Sequence, residues 1–213
     1  RLVGSEMCIR DRIIIMKEKE YMRLESDSIG TMEVPEDAYY GVQALRAKEN
    51  FPITGTKLHP VFIKNLAKIK RAAAITNRKA GRLKPEIANA IEASANEVIC
   101  GMFDKDFIVD GIQGGAGTSA NMNMNEVIAN RAIEMLCGKK GDYTIVHPND
   151  HVNMAQSTND VIPTAGKLTV LDLLKPLDKS LSLLTEALYD KAEEFDPIVK
   201  IGRTQLELSL IHI

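Results

Sequence analysis

The feature that most constrains the fold is a stripe of seven leucines near the carboxyl end of the chain. They recur every three or four residues for about six helical turns, at Leu168, Leu171, Leu174, Leu177, Leu181, Leu184 and Leu188. One helix cannot bury such a stripe alone, so the pattern predicts a long helix that needs partner helices. We expect it to begin near Pro163 and to project from the preceding domain, with Leu174, Leu181 and Leu188 exposed in a lone chain. Pro176 predicts a kink, because its ring removes a backbone hydrogen bond.

Three shorter helices are predicted before the long one. They follow a segment, 24–60, whose glycines and prolines predict extended chain and turns. The first helix, ended by Gly81, has the apolar stripe Phe62, Leu66, Ile69 and Ala73. The second, opened by Pro85, has the buried face Ile87, Ile91, Ala95 and Val98. The third is expected over about 123–136, closed by Gly138 and Gly141. No series of strands is recognisable, so the predicted fold is mainly α.

The charge balance argues against a nucleic acid or a membrane as partner. The formal net charge is −2, so the chain lacks the basic field that phosphates or anionic lipids require. No apolar run approaches the roughly 20 residues that cross a bilayer. The charged run after Met16 does not lead into an apolar stretch, as a secretory signal would. Cys100 and Cys137 are too few and too far apart for a disulfide framework or a zinc site. We therefore expect a cytoplasmic protein.

The two ends of the chain share a relationship that has no physical reason in a protein. Residues 208–213 can be encoded by a DNA whose complementary strand, preceded by one A and read in a shifted frame, encodes Met7 to Asp11. Both peptides resemble a translated sequencing adapter. We therefore expect 1–15 and 208–213 to be adapter and read-through artefacts without specific packing. The predicted domains are 16–156, a helical N-terminal domain, and 157–207, the start of a helical bundle.

A glycine-rich stretch, Gly111 to Gly117, is followed by the polar residues Thr118, Ser119 and Asn121. Glycines let the backbone approach a ligand closely, and neutral donors at a helix N-terminus are suited to bind an anion. No Lys–Ser/Thr pair follows the glycines, so the stretch is not a P-loop. Taken alone, it is also compatible with a simple turn.

A second polar stretch, HPNDHVN, spans residues 147–153. His147 and His151 have a spacing that could chelate a metal ion on one helix. Pro148 disfavours an uninterrupted helix through both, and no third ligand presents itself, so we predict no metal site. The structural alternative is a polar turn capped by Asn149 or Asp150.

A third polar stretch, QSTND, spans residues 156–160 and precedes Pro163, which suits a first helical turn. The hydroxyls of Ser157 and Thr158, the amide of Asn159 and a helix N-terminus would direct several hydrogen bonds and a positive dipole end at one point. A plain capping run is the alternative.

Together these stretches resemble the fumarase/aspartase superfamily, whose members eliminate a group β to a carboxylate and release fumarate. The resemblance covers about residues 29–206. It is strongest at GAGTSANMNMNEVIAN (115–130), HPNDHVNMAQSTN (147–159) and GRTQ (202–205), and IGTMEVPEDAYYGVQALRAKENF (29–51) is also similar. It implies a mainly α fold, with an N-terminal helical domain followed by the first long helix of a truncated central helical bundle. It also implies a homotetramer of the full-length protein, in which the leucine stripe is buried.

Within the superfamily the resemblance favours aspartases, which eliminate ammonia from L-aspartate. The loop GGAGTS (114–119) is similar to theirs, whereas class II fumarases typically have GSGTQT. Two further positions favour an aspartase. Fumarases more often have a second serine at the position of Thr158, and fumarases and some aspartases have histidine at the position of Gln205. Class II fumarase is the alternative. A non-catalytic helical scaffold or binding module is the alternative of another class, and it leaves the polar stretches unexplained.

The resemblance implies roles for individual residues. Thr118, Ser157 and Thr158 would hold the β-carboxylate, and Thr158 and Asn159 would contact the departing amino group. The implied catalytic residues are Thr158, Asn159 and Gln205, an amide that can bond to substrate but cannot titrate. The implied substrate-binding residues also include Ser119, Asn121, His147, Asn149 and Asp150. The general-base serine and the lysine for the α-carboxylate are expected downstream of Glu207, so the chain alone is expected to be inactive. No cofactor is implied, because the substrate carboxylate itself accepts the electrons.

Overall fold

The computed structural model describes residues 21–199, so Gln205 and the predicted artefact segments 1–15 and 208–213 lie outside the described residues. Helices dominate the described part, which confirms the mainly α prediction. The α-helices are α1 (Val42–Asn50), α2 (Pro60–Lys79), α3 (Pro85–Ile99), α4 (Thr118–Met135) and α5 (Thr158–Phe195). Short elements are strands β1 (Met22–Ser26) and β2 (Thr31–Pro35), a 3-10 turn (Asp104–Asp106) and a π-helical turn (Pro148–Val152). The chain divides into two compact units between Ala165 and Gly166. The domain boundary predicted between residues 156 and 157 stays a prediction.

The segment before α2 is more ordered than predicted. Strands β1 and β2 form an antiparallel hairpin in which Met22 pairs with Pro35 and Ser26 with Thr31, and α1 follows it. The buried Glu126 side chain stabilises the start of α1, because its carboxylate accepts hydrogen bonds from the backbone N–H groups of Gly41 and Ala44 at 2.9 and 3.0 Å. These N–H groups have no partner inside the helix itself. The capping residue lies 82 positions from Ala44, so local sequence could not reveal this helix.

Helices α2 and α3 pack against each other and form part of the main hydrophobic core. The predicted stripe of α2 is rotated by about one residue: Leu66 is buried, but Phe62, Ile69 and Ala73 are only half-buried. The observed buried face is Ile63, Asn65, Leu66, Ala67, Lys70, Ala74 and Asn77. In α3, Ile91, Ala95 and Val98 have no exposed surface, as predicted, and Ile87 is half-buried.

Helix α4 is the central helix of the first unit. Every residue from Ala120 to Asn130 is buried, and the helix packs against α1, α2, α3 and the π-helical turn. It begins at Thr118, five residues before the predicted start at Asn123. The reason is a cap supplied from the glycine-rich stretch, because the side-chain oxygen of Gln113 accepts a hydrogen bond from the N–H of Ala120 at 2.6 Å. The polar residues after the glycines therefore form the first helical turn.

Helix α5 begins at Thr158 and not near Pro163 as predicted. The backbone carbonyl of Ser157 accepts hydrogen bonds from Asp160 and Val161, and its hydroxyl accepts one from the N–H of Asn159 at 3.3 Å. Ser157 therefore caps the helix, which places Pro163 at its sixth residue. The helix also continues through Pro176.

The leucines of α5 are exposed, as predicted for a lone chain. The exposed fractions of Leu174, Leu181 and Leu188 are 46%, 51% and 63%. A contiguous apolar face of this kind marks an interaction surface in a folded protein. Among the described residues, no helix is both long enough and apolar enough to cross a membrane.

Candidate functional site

The glycine-rich turn before α4 has a backbone that favours glycine at two positions. Gly115 and Gly117 have φ angles of 69° and 88°, in the left-handed region. Gly117 also lies against Ile162 of α5, and a Cβ at this position would come within 2.8 Å of Ile162 Cγ2. The turn therefore brings the start of α4 close to the first turns of α5.

Two side chains hold this turn in place. Gln113 donates a hydrogen bond to the carbonyl of Asp110 at 3.0 Å while it caps Ala120. The Asp110 carboxylate accepts hydrogen bonds from Thr54, Gly55 and Ile112. The Thr54 hydroxyl and these N–H groups hold the pKa of Asp110 well below its ordinary value. The turn is thus fixed by an ionised carboxylate on one side and an amide on the other.

The first turn of α4 presents neutral hydrogen-bond donors, as the sequence predicted. Thr118 is exposed and Ser119 is half-buried. Within residues 21–199, the backbone N–H groups of Thr118 and Ser119 make no hydrogen bond. An N-terminal turn with open N–H groups and hydroxyls is suited to bind an anion.

The side chain of Asn121 joins two of the predicted polar stretches. Its Nδ2 donates a hydrogen bond to Thr158 Oγ1 at 3.1 Å. Thr158 is half-buried and Asn159 is exposed, so both lie at the surface where the N-termini of α4 and α5 meet. Ser157 is adjacent and also serves as the cap of α5. The structure therefore brings Asn121 and Thr158 together, with Ser157 and Asn159 next to Thr158 in the chain.

Two residues behind this pair, Asn153 and Lys70, are not among the site residues that the sequence predicts. Asn153 Oδ1 accepts a hydrogen bond from Asn121 Nδ2 at 3.2 Å and another from Lys70 Nζ at 2.7 Å. Lys70 has no exposed surface, and burial lowers its pKa to about 7. A signal for Lys70 was present in the sequence. It interrupts the apolar stripe of α2, at helical spacing from Leu66 and Ala74.

The predicted site residues of the π-helical turn, His147, Asn149 and Asp150, form a group separate from Asn121 and Thr158. His147 Nδ1 accepts hydrogen bonds from the N–H groups of Asn149 and Asp150, at 3.3 and 3.2 Å. His147 therefore caps the turn, and not Asn149 or Asp150 as the structural alternative supposed. His147 and Asn149 line a cavity of about 330 Å³, whose other residues include Ser26, Asp27, Gln43 and Glu126. No hydrogen bond among the described residues joins these side chains to Thr118, Asn121 or Thr158, so their role with the same substrate stays a prediction.

The second histidine of this turn is engaged within the turn itself. His151 Nδ1 accepts a hydrogen bond from the N–H of His147 at 2.9 Å, and burial lowers the pKa of His151. Within residues 21–199, no three His, Cys, Asp or Glu side chains are grouped so that they could hold a metal ion. Asn153 links the π-helical turn to Asn121 and Thr158. Its N–H donates to the carbonyl of Pro148 at 3.0 Å, and its Oδ1 accepts from Asn121.

Comparison with known proteins gives matches over nearly the whole chain. The family described as Lyase matches residues 30–208. The aspartate ammonia-lyase of Bacillus subtilis (strain 168) is 52% identical over 190 residues, which are 89% of this chain and 40% of that protein. The class II fumarate hydratase of Halobacterium salinarum is 52% identical over 189 residues, which are 88% of this chain and 40% of that protein.

The solved structures agree with these matches. The structure of a fumarate lyase:delta crystallin from Brucella melitensis bound to cobalt matches with a TM-score of 0.83 and 48% identity, over 88% of this chain and 41% of that chain. A recombinant class II fumarase from Schistosoma mansoni matches with a TM-score of 0.80 and 38% identity, over 87% of this chain and 40% of that one. The chain spans about 40% of the length of the curated relatives it matches.

Proposed function

This chain belongs to the lyase family, and on that basis we propose that the full-length protein is an aspartate ammonia-lyase. The reaction removes ammonia from L-aspartate to give fumarate and is reversible. The observation that carries the proposal is the hydrogen bond between Asn121 and Thr158. It joins the glycine-rich stretch to the start of α5, and these are two of the stretches on which the resemblance to aspartases rests.

The chemical difficulty of this reaction is the removal of a proton from the carbon next to a carboxylate. The electrons move onto that carboxylate, which becomes a doubly charged aci-carboxylate. Donors that are already in place for the developing charge lower the barrier, because they act more strongly on the transition state than on the substrate. Around Thr158 the chain offers such donors: open N–H groups, hydroxyls and the N-termini of α4 and α5.

In the proposed mechanism, Thr118, Ser157 and Thr158 hold the β-carboxylate. The Ser157 oxygen accepts a hydrogen bond from Asn159 N–H, and the Thr158 oxygen accepts one from Asn121. Each hydroxyl hydrogen is therefore available for the substrate. Thr158 and Asn159 contact the departing amino group. Gln205 contributes a hydrogen bond, and the general base belongs to a part of the protein that follows residue 207.

The choice of L-aspartate over L-malate rests on the sequence of the site. Two relatives, an aspartate ammonia-lyase and a class II fumarate hydratase, are each 52% identical to this chain, so overall identity favours neither substrate. The loop GGAGTS and the residue pair Ser157–Thr158 favour the aspartase. The full-length protein is proposed to work as a cytoplasmic homotetramer. The exposed leucine face of α5 supports this assembly, because an apolar face of this length needs partner helices.

The test is to express the full-length protein and to follow the ultraviolet absorbance of fumarate with each substrate separately. We expect rapid formation of fumarate from L-aspartate and slow formation from L-malate. Rapid dehydration of L-malate without deamination of L-aspartate would assign the protein to the fumarases. If neither substrate gave fumarate, a non-catalytic helical scaffold would become the better account.

A further inference from the structure

The buried Lys70 has an arrangement that packing alone does not explain. It lies on the core-facing side of α2 with no exposed surface, and its described hydrogen bond is to Asn153 Oδ1 at 2.7 Å. Within residues 21–199, no carboxylate forms an ion pair with it, and desolvation is what shifts its pKa. A buried cation without a counter-charge is costly. Such a residue therefore needs a role that an apolar side chain of the same length could not fill.

Lys70 lies at one end of a chain of hydrogen bonds that ends at Thr158. Lys70 Nζ and Asn121 Nδ2 both donate to Asn153 Oδ1, and the same Asn121 Nδ2 donates to Thr158 Oγ1. Lys70 Nζ donates to Asn153 Oδ1, and the Nδ2 of the same Asn153 donates to the carbonyl of Gln156 at 3.3 Å. Both bonds turn the amide oxygen of Asn153 towards Lys70, so Asn121 must in turn present its amide nitrogen to that oxygen.

This series of hydrogen bonds, and not the immediate surroundings of Asn121, imposes the orientation of the Asn121 amide. Its Oδ1 is buried and has no hydrogen-bond partner, which is unfavourable by itself. The reverse orientation would place Asn121 Oδ1 against Asn153 Oδ1, so that two acceptors would face each other. The imposed orientation makes Thr158 Oγ1 an acceptor on its inner side. The hydroxyl hydrogen of Thr158 is thereby left to point away from Asn121.

We propose that Lys70 is a positioning residue that sets the direction of the hydrogen bonds through Asn153 and Asn121, so that Thr158 donates its hydroxyl hydrogen to the substrate carboxylate. This inference rests on the proposed function, because it assigns Thr158 a substrate to donate to. Lys70 touches neither substrate nor reacting atoms. It acts through three side chains that the structure connects in a row.

The test is a double-mutant cycle in the full-length enzyme with Lys70→Met and Thr158→Val. Methionine keeps the length of the side chain but donates no hydrogen bond, and it removes the desolvation cost of the buried amine. We expect Lys70→Met to lower kcat by about 10- to 100-fold, less than the full loss of a donor. In the Thr158→Val background the same change should lower kcat by less than about twofold, because the hydroxyl that Lys70 orients is already absent. A factor of about two is the error within which the effects of independent sites add. Lys79→Met, at an exposed lysine of the same helix, is the control and should leave kcat unchanged.

The outcomes separate this inference from the proposed function. If the unmodified enzyme forms fumarate and the costs of Lys70→Met and Thr158→Val multiply, the positioning role is wrong and the proposed function stands. If the unmodified enzyme acts on neither L-aspartate nor L-malate, both are wrong. Should Lys70→Met fail to fold, Asn153→Ala interrupts the same chain of hydrogen bonds. Its cost must also nearly vanish in the Thr158→Val background, and a full multiplicative cost overturns the proposal.

Discussion

Asn121 Nδ2 lies 3.1 Å from Thr158 Oγ1, a contact that joins the first turns of α4 and α5 across 37 residues of chain. We expect Asn121→Asp to reverse this hydrogen bond, because a carboxylate accepts from the Thr158 hydroxyl where the amide donates to it. The hydroxyl hydrogen would then be lost to the substrate, and kcat should fall by about 10²- to 10³-fold. The other carboxylate oxygen would face Asn153 Oδ1, so that two acceptors meet in a buried place, and the midpoint of thermal unfolding should fall. An Asn121→Asp enzyme with normal kcat would show that Thr158 does not act as a donor.

The left-handed backbone at Gly117 leads to a prediction about the stability of the Gly117→Ala variant. Gly117→Ala adds a Cβ at a φ angle of 88° and against Ile162, whereas Gly81→Ala adds one at 69° with nothing within 4 Å. Backbone strain should cost about 1–2 kcal/mol at both positions. Overpacking should add about 1–3 kcal/mol at Gly117 alone. Urea unfolding of both variants measures the difference, and equal destabilisation would contradict the close approach of Gly117 to Ile162.

Lys70 predicts how the stability of the protein depends on pH. Burial lowers its pKa in the folded state from 10.5 to about 7. Between these two values the unfolded chain holds a proton that the folded chain has lost, so the free energy of unfolding rises with pH. The contribution of one group is about 1.4 kcal/mol per pH unit. Lys70→Met should remove this slope between pH 7 and 9, as measured by urea unfolding at fixed ionic strength. An identical slope in both proteins would mean that Lys70 stays charged throughout this range.

The sequence predicts the helices that are determined by residues close to one another in the chain. The helical spacing of Ile91, Ala95 and Val98 identified the buried face of α3, and the leucine spacing identified α5. The sequence does not predict helix α1, because its cap, Glu126, lies on a distant helix. The predicted start of α4 lies too late in the chain because the capping side chain, Gln113, belongs to the glycine-rich stretch. Long-range capping leaves no periodic pattern in the sequence.

The sequence predicts surface residues for the candidate site but not the buried side chains that support them. Runs of small polar residues identified Thr118 and Thr158, which lie at helix N-termini where the chain is exposed. The run containing Ser157 is typical both of a binding segment and of a cap, and in the structure Ser157 caps α5. Lys70 was overlooked because a lysine in a helix is ordinarily solvated. Its position within an apolar stripe was the sign that it is buried.

The most direct test of this account is the kcat of a Thr158→Val variant of the full-length enzyme with L-aspartate. Valine keeps the shape of threonine but removes the hydroxyl that is proposed to donate to the developing aci-carboxylate. Thr164→Val is the matched control, because Thr164 lies on the same helix and its hydroxyl donates to the Asp160 carbonyl. We predict that Thr158→Val lowers kcat by about 10²- to 10³-fold while Thr164→Val leaves it unchanged. A Thr158→Val enzyme as active as the unmodified protein would contradict the placement of the site at the meeting point of α4 and α5.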